Sequence, residues 1–262
     1  MSYLVQAGNG GYLGWKILER TASVQRAVLE KDAQITASRD YFAERLPQVT
    51  AAEDLVSDYK LLSVALRAFG LDNDIGNRQF IRRVLEADPD DSSSLVNRLS
   101  DKRYLRLNKA LGLGSGTEPA SDRMDSGSIL DLYVTRSFEK NVGSSHAEIE
   151  LALNARRELP ELAKSDSAEN TKWYQIIGST PLRKIFEGAF GLSSSFGQLD
   201  VDRQVEELKL RCEQMTGSSD PSQFIETGAV EDLIKTYLLR SQFSSGSVYS
   251  PFSTALAILN GG

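Results

Sequence analysis

One phrase constrains what this chain can fold into. In Asp58-Tyr-Lys-Leu-Leu-Ser-Val-Ala-Leu-Arg-Ala-Phe-Gly-Leu71, the residues Leu55, Tyr59, Leu62, Leu66 and Phe69 recur at steps of four and three. That spacing places apolar groups on one side of a helix, and Gly70 supplies a left-handed stop. A shorter copy returns as Arg183-Lys-Ile-Phe-Glu-Gly-Ala-Phe-Gly-Leu192. Helices this short do not persist alone in water, so both copies must bury their apolar sides against other helices.

The rest of the chain supplies those helices. Residues 1–14 are glycine-rich and read as a flexible N-terminus. Tyr3-Leu-Val-Gln-Ala7 before Gly8-Asn-Gly-Gly11 imitates the entry to a phosphate loop, but Leu13 stands where the third glycine of G-x-G-x-x-G belongs. Leu13, Ile17, Val24 and Val28 then mark the apolar face of a first helix, and Tyr41, Phe42 and Leu46 a second one ended by Pro47. Thr50-Ala-Ala-Glu53 has the form of a capping box and is expected to start one long helix that runs to Gly70. Short helices follow around Phe80 to Leu85, with a stop at Asp88-Pro89, and around Tyr104 to Leu111.

Gly112 to Gly127 reads as a linker. Helical patterns resume with Ile129 to Phe138, Ile149 to Pro160, Trp173 to Ile177, and a helix opened by Thr180-Pro181. Asp200 is expected to cap a helix that buries Val201, Val205, Leu208, Cys212 and Met215, and Val230 to Leu238 closes the folded part. No stretch reads convincingly as a strand. Both halves carry a helix ending in Ala-Phe-Gly-Leu and, further on, an Asp-Pro turn before a closing helix, which suggests a duplicated unit. The expected fold is all-α: two related short-helix bundles packed together, with no significant sheet. Half 1 spans 15–112, the linker 113–127, half 2 128–242, and 243–262 is a tail with a short apolar segment.

Composition narrows function by exclusion. The net charge of −6 opposes indiscriminate binding of nucleic acid or anionic lipid. One cysteine, Cys212, rules out an internal disulfide, and one histidine, His146, rules out any site needing two imidazoles. There is no apolar run long enough to span a bilayer, and Met1 to Trp15 lacks the charged and apolar regions of a cleaved signal peptide. The expected compartment is the cytoplasm, or the exterior through an exporter that reads an uncleaved N-terminus.

Few residues invite a chemical role. Asp72 with Asp74, and Asp88 with Asp90 and Asp91, have calcium-like spacing. A loop begun at Asp72 would place Asn77 at the required glycine and Arg83 at the bidentate glutamate, so caps and turns explain these acids better. Glu148 and Glu150 lack any feature that would set their pKa values apart. Arg98, Lys102, Arg103, Arg106 and Lys109 form a basic run interrupted by Asp101, weighed as a docking face for an acidic partner against a solvated helix face. In the tail, Leu256, Ile258 and Leu259 are the second candidate docking group, against the alternative that they fold back on their own domain. No catalytic, cofactor-binding or metal-binding residue is assigned.

Several phrases resemble a known family: Gly14-Trp-Lys-Ile-Leu-Glu-Arg-Thr21, Asp54-Leu-Val-Ser-Asp58 entering Ala-Leu-Arg-Ala-Phe-Gly-Leu71, Phe80-Ile-Arg-Arg-Val-Leu-Glu86, and Asn97-Arg-Leu-Ser-Asp-Lys-Arg-Tyr104. Asp200-Val-Asp-Arg-Gln204 and Tyr237-Leu-Leu-Arg-Ser-Gln242 fit it too, so the likeness covers nearly the whole chain. The family is the alphaproteobacterial domain of unknown function 1217, whose genes tend to lie among flagellar genes. The resemblance implies a multihelical fold and offers no catalytic residues to carry over. The resulting expectation is a non-enzymatic structural, assembly or adaptor protein of the flagellum, cytoplasmic or exported through the flagellar system without a cleaved signal, with protein partners, no nucleic acid and no membrane insertion. The alternatives are an enzyme using carboxylate, Arg or Lys groups, or a binding protein with a basic docking face.

Overall fold

The structure is a computed structural model and describes residues 3–111, 113, 125–193 and 195–245 of the 262, with side chains as far as 242. It is all-α, 76% helical, with thirteen helices and no strand among the described residues. In chain order these are α1 (Gly11–Leu29), α2 (Ala33–Arg45), α3 (Ala52–Ser57), α4 (Tyr59–Phe69), α5 (Arg78–Glu86), α6 (Leu95–Arg98) and α7 (Arg103–Leu111). Then come α8 (Ser126–Gly143), α9 (Ala147–Ala163), α10 (Glu169–Gly178), α11 (Thr180–Phe190), α12 (Val201–Thr216) and α13 (Thr227–Ser245). The chain divides into two compact units: Met1–Gln6 with Arg20–Ser144, and Ala7–Glu19 with Ser145–Gly262. The division falls at Ser144, not in the glycine-rich stretch 113–127, because α8 packs on α4.

In unit 1, α4 is the central rod. It packs against α8, α2 and α7, while α3 lies on α5. Leu62, Leu66 and Phe42 are fully buried there. In unit 2, α11 packs against α13 and α9, and α10 lies on α12. Phe186 sits at its centre, edge-on to Trp173 at 5.4 Å, Phe190 at 5.4 Å and Phe224 at 5.5 Å. The two units thus use one packing order, with α2, α3, α4, α5 and α8 answering to α9, α10, α11, α12 and α13. Each central helix ends at a left-handed glycine, Gly70 at φ 71° and Gly191 at φ 66°, and each glycine has an arginine against it, Arg136 and Arg240. The Leu71 N–H then donates to the Leu66 carbonyl, and Leu192 to Glu187, the Schellman closure that Ala-Phe-Gly-Leu encodes.

Several local expectations change. The helix expected from Thr50 to Gly70 breaks at Asp58, whose backbone is extended and whose Oδ1 accepts from Lys60 N and Leu61 N at 3.0 Å each. Tyr41 donates its hydroxyl to Asp58 Oδ2 at 2.7 Å, fixing the break from outside, and Tyr59 is exposed as a result. Ala51 takes the cap position of α3, and it is Asp54, not Glu53, that reaches back to the Thr50 and Ala51 N–H groups at 3.0 and 2.9 Å. Pro160 lies inside α9, which continues to Ala163, and Val201 and Met215 are exposed while Val205, Leu208 and Cys212 are buried. The N-terminal stretch is tied down: Val5 and Ala7 are buried, and Val5 N donates to Asn141 at 2.7 Å.

The largest change concerns α1. The face expected to be buried is the outer one: Leu13, Ile17, Val24 and Val28 are 67, 38, 68 and 44% exposed. Trp15, Leu18 and Leu29 are buried instead, together with Gln25. Gln25 is satisfied there by Gln6 and Thr21: its amide nitrogen donates to the Gln6 carbonyl at 2.9 Å and to Thr21 Oγ1 at 2.8 Å.

Candidate functional site

The basic run does not form one stripe. Arg103 is turned inward: its guanidinium grips the Asp101 carboxylate through Nε and Nη2, and its Nη1 donates to the Gly70 carbonyl. It ties the start of α7 to the end of α4, with both side chains of the ion pair about five-sixths buried. Lys102 donates Nζ to the Asn97 carbonyl at 2.8 Å, and burial lowers its pKa. Arg98, Arg106 and Lys109 remain on the surface. Two of the five candidate cations are therefore committed to the fold of unit 1, because a carbonyl left over at a helix end is a strong acceptor for a nearby cation. The other candidate group, Leu256, Ile258 and Leu259, lies outside the described residues.

A different surface stands out. α1 carries two apolar stripes, one facing the core and one facing out, and its N-terminal end is held firmly in unit 2. Trp15 lies under the Arg156 guanidinium, 4.2 Å from the ring centre. Arg156 is itself clamped between Glu19 at 2.5 Å and Glu231 at 2.7 Å, which together outweigh the burial that would lower its pKa and raise it. The Gly11 N–H donates to Glu148 Oε1 at 3.0 Å, an acid at the N-terminus of α1, and the single imidazole, His146, meets the Gly8 carbonyl at 3.1 Å. Gly11 also abuts the side chain of Gln242, near the end of α13. These contacts set the direction in which Leu13 and Ile17 project.

Unit 1 also contains a cleft of about 750 Å³ between α2, α4 and α8, with Tyr41, Tyr59, Lys60, Arg67 and Ser137 on its walls. Lys60 stands over the Tyr41 ring at 5.1 Å, and Arg67 pairs with Asp72. The Ser137 hydroxyl is buried and makes no hydrogen bond. Elsewhere the buried polar groups serve the fold. Asn108 donates to the carbonyls of Val84 and Ala87 at the end of α5, and Lys172 donates to Ala163 O and Ser222 Oγ at 2.8 and 2.6 Å. Cys212 is fully buried, and burial pushes its thiol up to about 11, the reverse of what a nucleophile needs. Asp88 and Asp91 accept the backbone N–H groups of residues 90 and 93, as turn acids do. No group of three metal-binding side chains occurs among the described residues. No helix among them is long and apolar enough to cross a membrane.

Comparison with known proteins bears on identity. The model of a family described as "Protein of unknown function (DUF1217)" matches residues 68–224, more than half of the chain. The chain belongs to the DUF1217 family. The matched part of this DUF1217 protein includes both Ala-Phe-Gly-Leu stops and both Asp-Pro turns. Among solved structures, its fold is similar to the X-ray crystal structure of a protein from Agrobacterium tumefaciens, with a TM-score of 0.68 and 21% identity over 90% of this chain and 96% of that one. No protein of curated function matches this DUF1217 chain.

The sequence reading took the outer stripe of α1 for its buried face and missed the inner one. The signal was present, since Trp15, Leu18, Ala22, Gln25 and Leu29 also recur at helical spacing. The second set was hidden because it contains a glutamine and is flanked by the small Gly11 and Gly14, both buried.

Proposed function

We propose that this DUF1217 protein is a non-enzymatic structural or adaptor component of the bacterial flagellar system, acting through protein contacts on its helix surfaces. The observation that carries the reading is the outer stripe of α1, where four large aliphatic side chains line one face of a nineteen-residue helix and are 38 to 68% exposed. Contiguous exposed apolar surface of this kind is a mark of protein contact. The flagellar part rests on the resemblance of the phrases above to a family whose genes accompany flagellar ones. The partner is taken to be a protein and not a nucleic acid, in keeping with the net charge of −6.

The test is swimming motility of a deletion strain, complemented by the wild-type chain or by the Val24→Glu/Val28→Glu variant, with affinity capture of each from the source cell. The expected result is loss of motility, recovery with the wild-type chain, and failure of the variant both to restore swimming and to retain a flagellar protein. Normal swimming of the deletion strain would overturn the flagellar assignment. Fractionation of the same strains separates a cytoplasmic location from export.

A second reading, a small-ligand-binding protein or enzyme, is favoured by the unit 1 cleft and its unpaired Ser137 hydroxyl. Native mass spectrometry of the protein drawn from its source cell would then show a bound small molecule that the Ser137→Leu variant loses. The same mass for both proteins, apart from the substitution, ends this reading.

A further inference from the structure

We infer that the cleft of unit 1 binds a small organic anion, an apolar body that carries one carboxylate or phosphate held by Lys60, Lys140 and the Tyr133 hydroxyl. This names the ligand class for the ligand-binding reading above and rests on it. Three observations lead here. The first is charge. In a chain of net charge −6, the residues lining the cleft include three cations, Lys60, Arg67 and Lys140, and one carboxylate, Asp32. Asp32 already accepts the Tyr3 and Gln34 N–H groups at 3.0 and 2.9 Å, and Arg67 is matched by Asp72. The Lys60 ammonium stands over the Tyr41 ring and makes no ion pair or hydrogen bond among the described residues.

The second is an unanswered hydroxyl at depth. Tyr133 on α8 is 7% exposed and lines the cleft, yet its hydroxyl has no hydrogen-bond partner among the described residues. One turn further along α8, the Ser137 hydroxyl is buried and lacks one too. Native interiors satisfy nearly all their buried polar groups, so two left open on one wall of one cavity call for a partner from outside. An oxyanion accepts from hydroxyl and ammonium groups alike, and its charge answers the excess of cations. The third is size. About 750 Å³ is room for a whole small molecule, since such sites run to about 300–1,000 Å³. The buried Leu29, Ile35 and Val64 give the cleft an apolar lining that an inorganic ion would leave uncovered, so the anionic group belongs to a larger apolar body.

The test titrates the full chain with anilinonaphthalene sulfonate, whose sulfonate stands in for the oxyanion, and with its uncharged parent anilinonaphthalene, each followed by dye fluorescence. The sulfonate should saturate one site. It should bind about tenfold or more weakly to Lys60→Met/Lys140→Met, and about three- to tenfold more weakly to Tyr133→Phe, while the uncharged parent binds wild type and variants alike. Lys60 and Lys140 are both exposed, so the double variant keeps the fold, which far-ultraviolet circular dichroism checks. Arg98→Met/Lys109→Met, an equal change of charge at exposed positions elsewhere on unit 1, should leave the sulfonate site as it is. So should Val24→Glu/Val28→Glu, which removes the outer stripe of α1 as a landing place for the dye. Sulfonate binding that never saturates, that is unaltered in Lys60→Met/Lys140→Met, or that vanishes with Val24→Glu/Val28→Glu overturns the inference. Failure here is distinct from failure of the ligand-binding reading. A molecule drawn from the source cell that Ser137→Leu loses and Lys60→Met/Lys140→Met keeps removes the anion and leaves the reading standing, whereas charge-dependent dye binding by a protein that carries nothing from its cell does the opposite.

Discussion

Asp54 and Asp58 govern the two ends of the loop-helix-loop around α3, and each does so by accepting backbone N–H groups. The N–H groups of Thr50 and Ala51 hold the Asp54 carboxyl below its ordinary 3.8. At Asp58, burial pushes the other way, but Leu61 N–H, the Tyr41 hydroxyl and Lys60 N–H prevail and lower it too. Because the folded values lie below the unfolded ones, the unfolded chain takes up protons first as pH falls. The stabilisation is therefore complete well above 3.8 and is lost as pH drops through the folded values. Urea midpoints measured from about pH 7 down to about pH 3 should fall in acid for the wild-type chain, and Asp54→Asn should start lower and fall less steeply.

The glycine stops give a sharper test at the same scale. Gly70→Ala and Gly191→Ala should each cost about 1–2 kcal/mol in urea unfolding, because a side chain at positive φ is strained and the guanidinium beside it must also move. Gly76→Ala, where nothing lies within 4 Å, should stay within about 0.5 kcal/mol. Arg103→Lys keeps the charge but loses the planar fork that serves Asp101 and the Gly70 carbonyl together, so it should destabilise nearly as much as Arg103→Ala, about 1–3 kcal/mol by the same measurement.

At the scale of elements, α1 separates what a pattern can show from what it cannot. A period near 3.6 identifies the helix, but on α1 two stripes satisfy the period, and only the partners decide which is inside. Leu18→Ala, at a side chain 1% exposed, should cost about 2–5 kcal/mol in urea unfolding. Val24→Glu should change stability by no more than about 0.5 kcal/mol. A reversed order would mean that the faces are assigned the wrong way round. The central helices were legible for a clearer reason: Ala-Phe-Gly-Leu couples an apolar face to the one residue that tolerates a left-handed turn, so pattern and stop agree. The break at Asp58 was not legible, since an aspartate on the polar side of a continuing helix and an aspartate capping a new one have the same spelling. What decides is Tyr41, seventeen residues earlier. Arg103 was misread for a similar reason, because its acceptor, the Gly70 carbonyl, lies thirty-three residues away.

On the scale of the whole molecule, the two units share a packing order far better than they share letters. Unit 2 concentrates its aromatic weight around Phe186, and unit 1 relies on leucines around α4. Phe186→Ala removes the ring that Trp173, Phe190 and Phe224 all meet edge-on and should cost about 3–5 kcal/mol. The all-α class and the family were within reach of the sequence, because helix stops and short phrases are local. The division at Ser144 was not, because it depends on α8 choosing α4 as its neighbour across a glycine-rich stretch.

Both tryptophans of the chain, Trp15 and Trp173, fall in unit 2, buried against Arg156 and Phe186 respectively. Indole fluorescence therefore follows that unit alone, while far-ultraviolet circular dichroism follows every helix. The protein carries a built-in optical label on one of its two cores, and the order in which those cores melt can be read without attaching a dye.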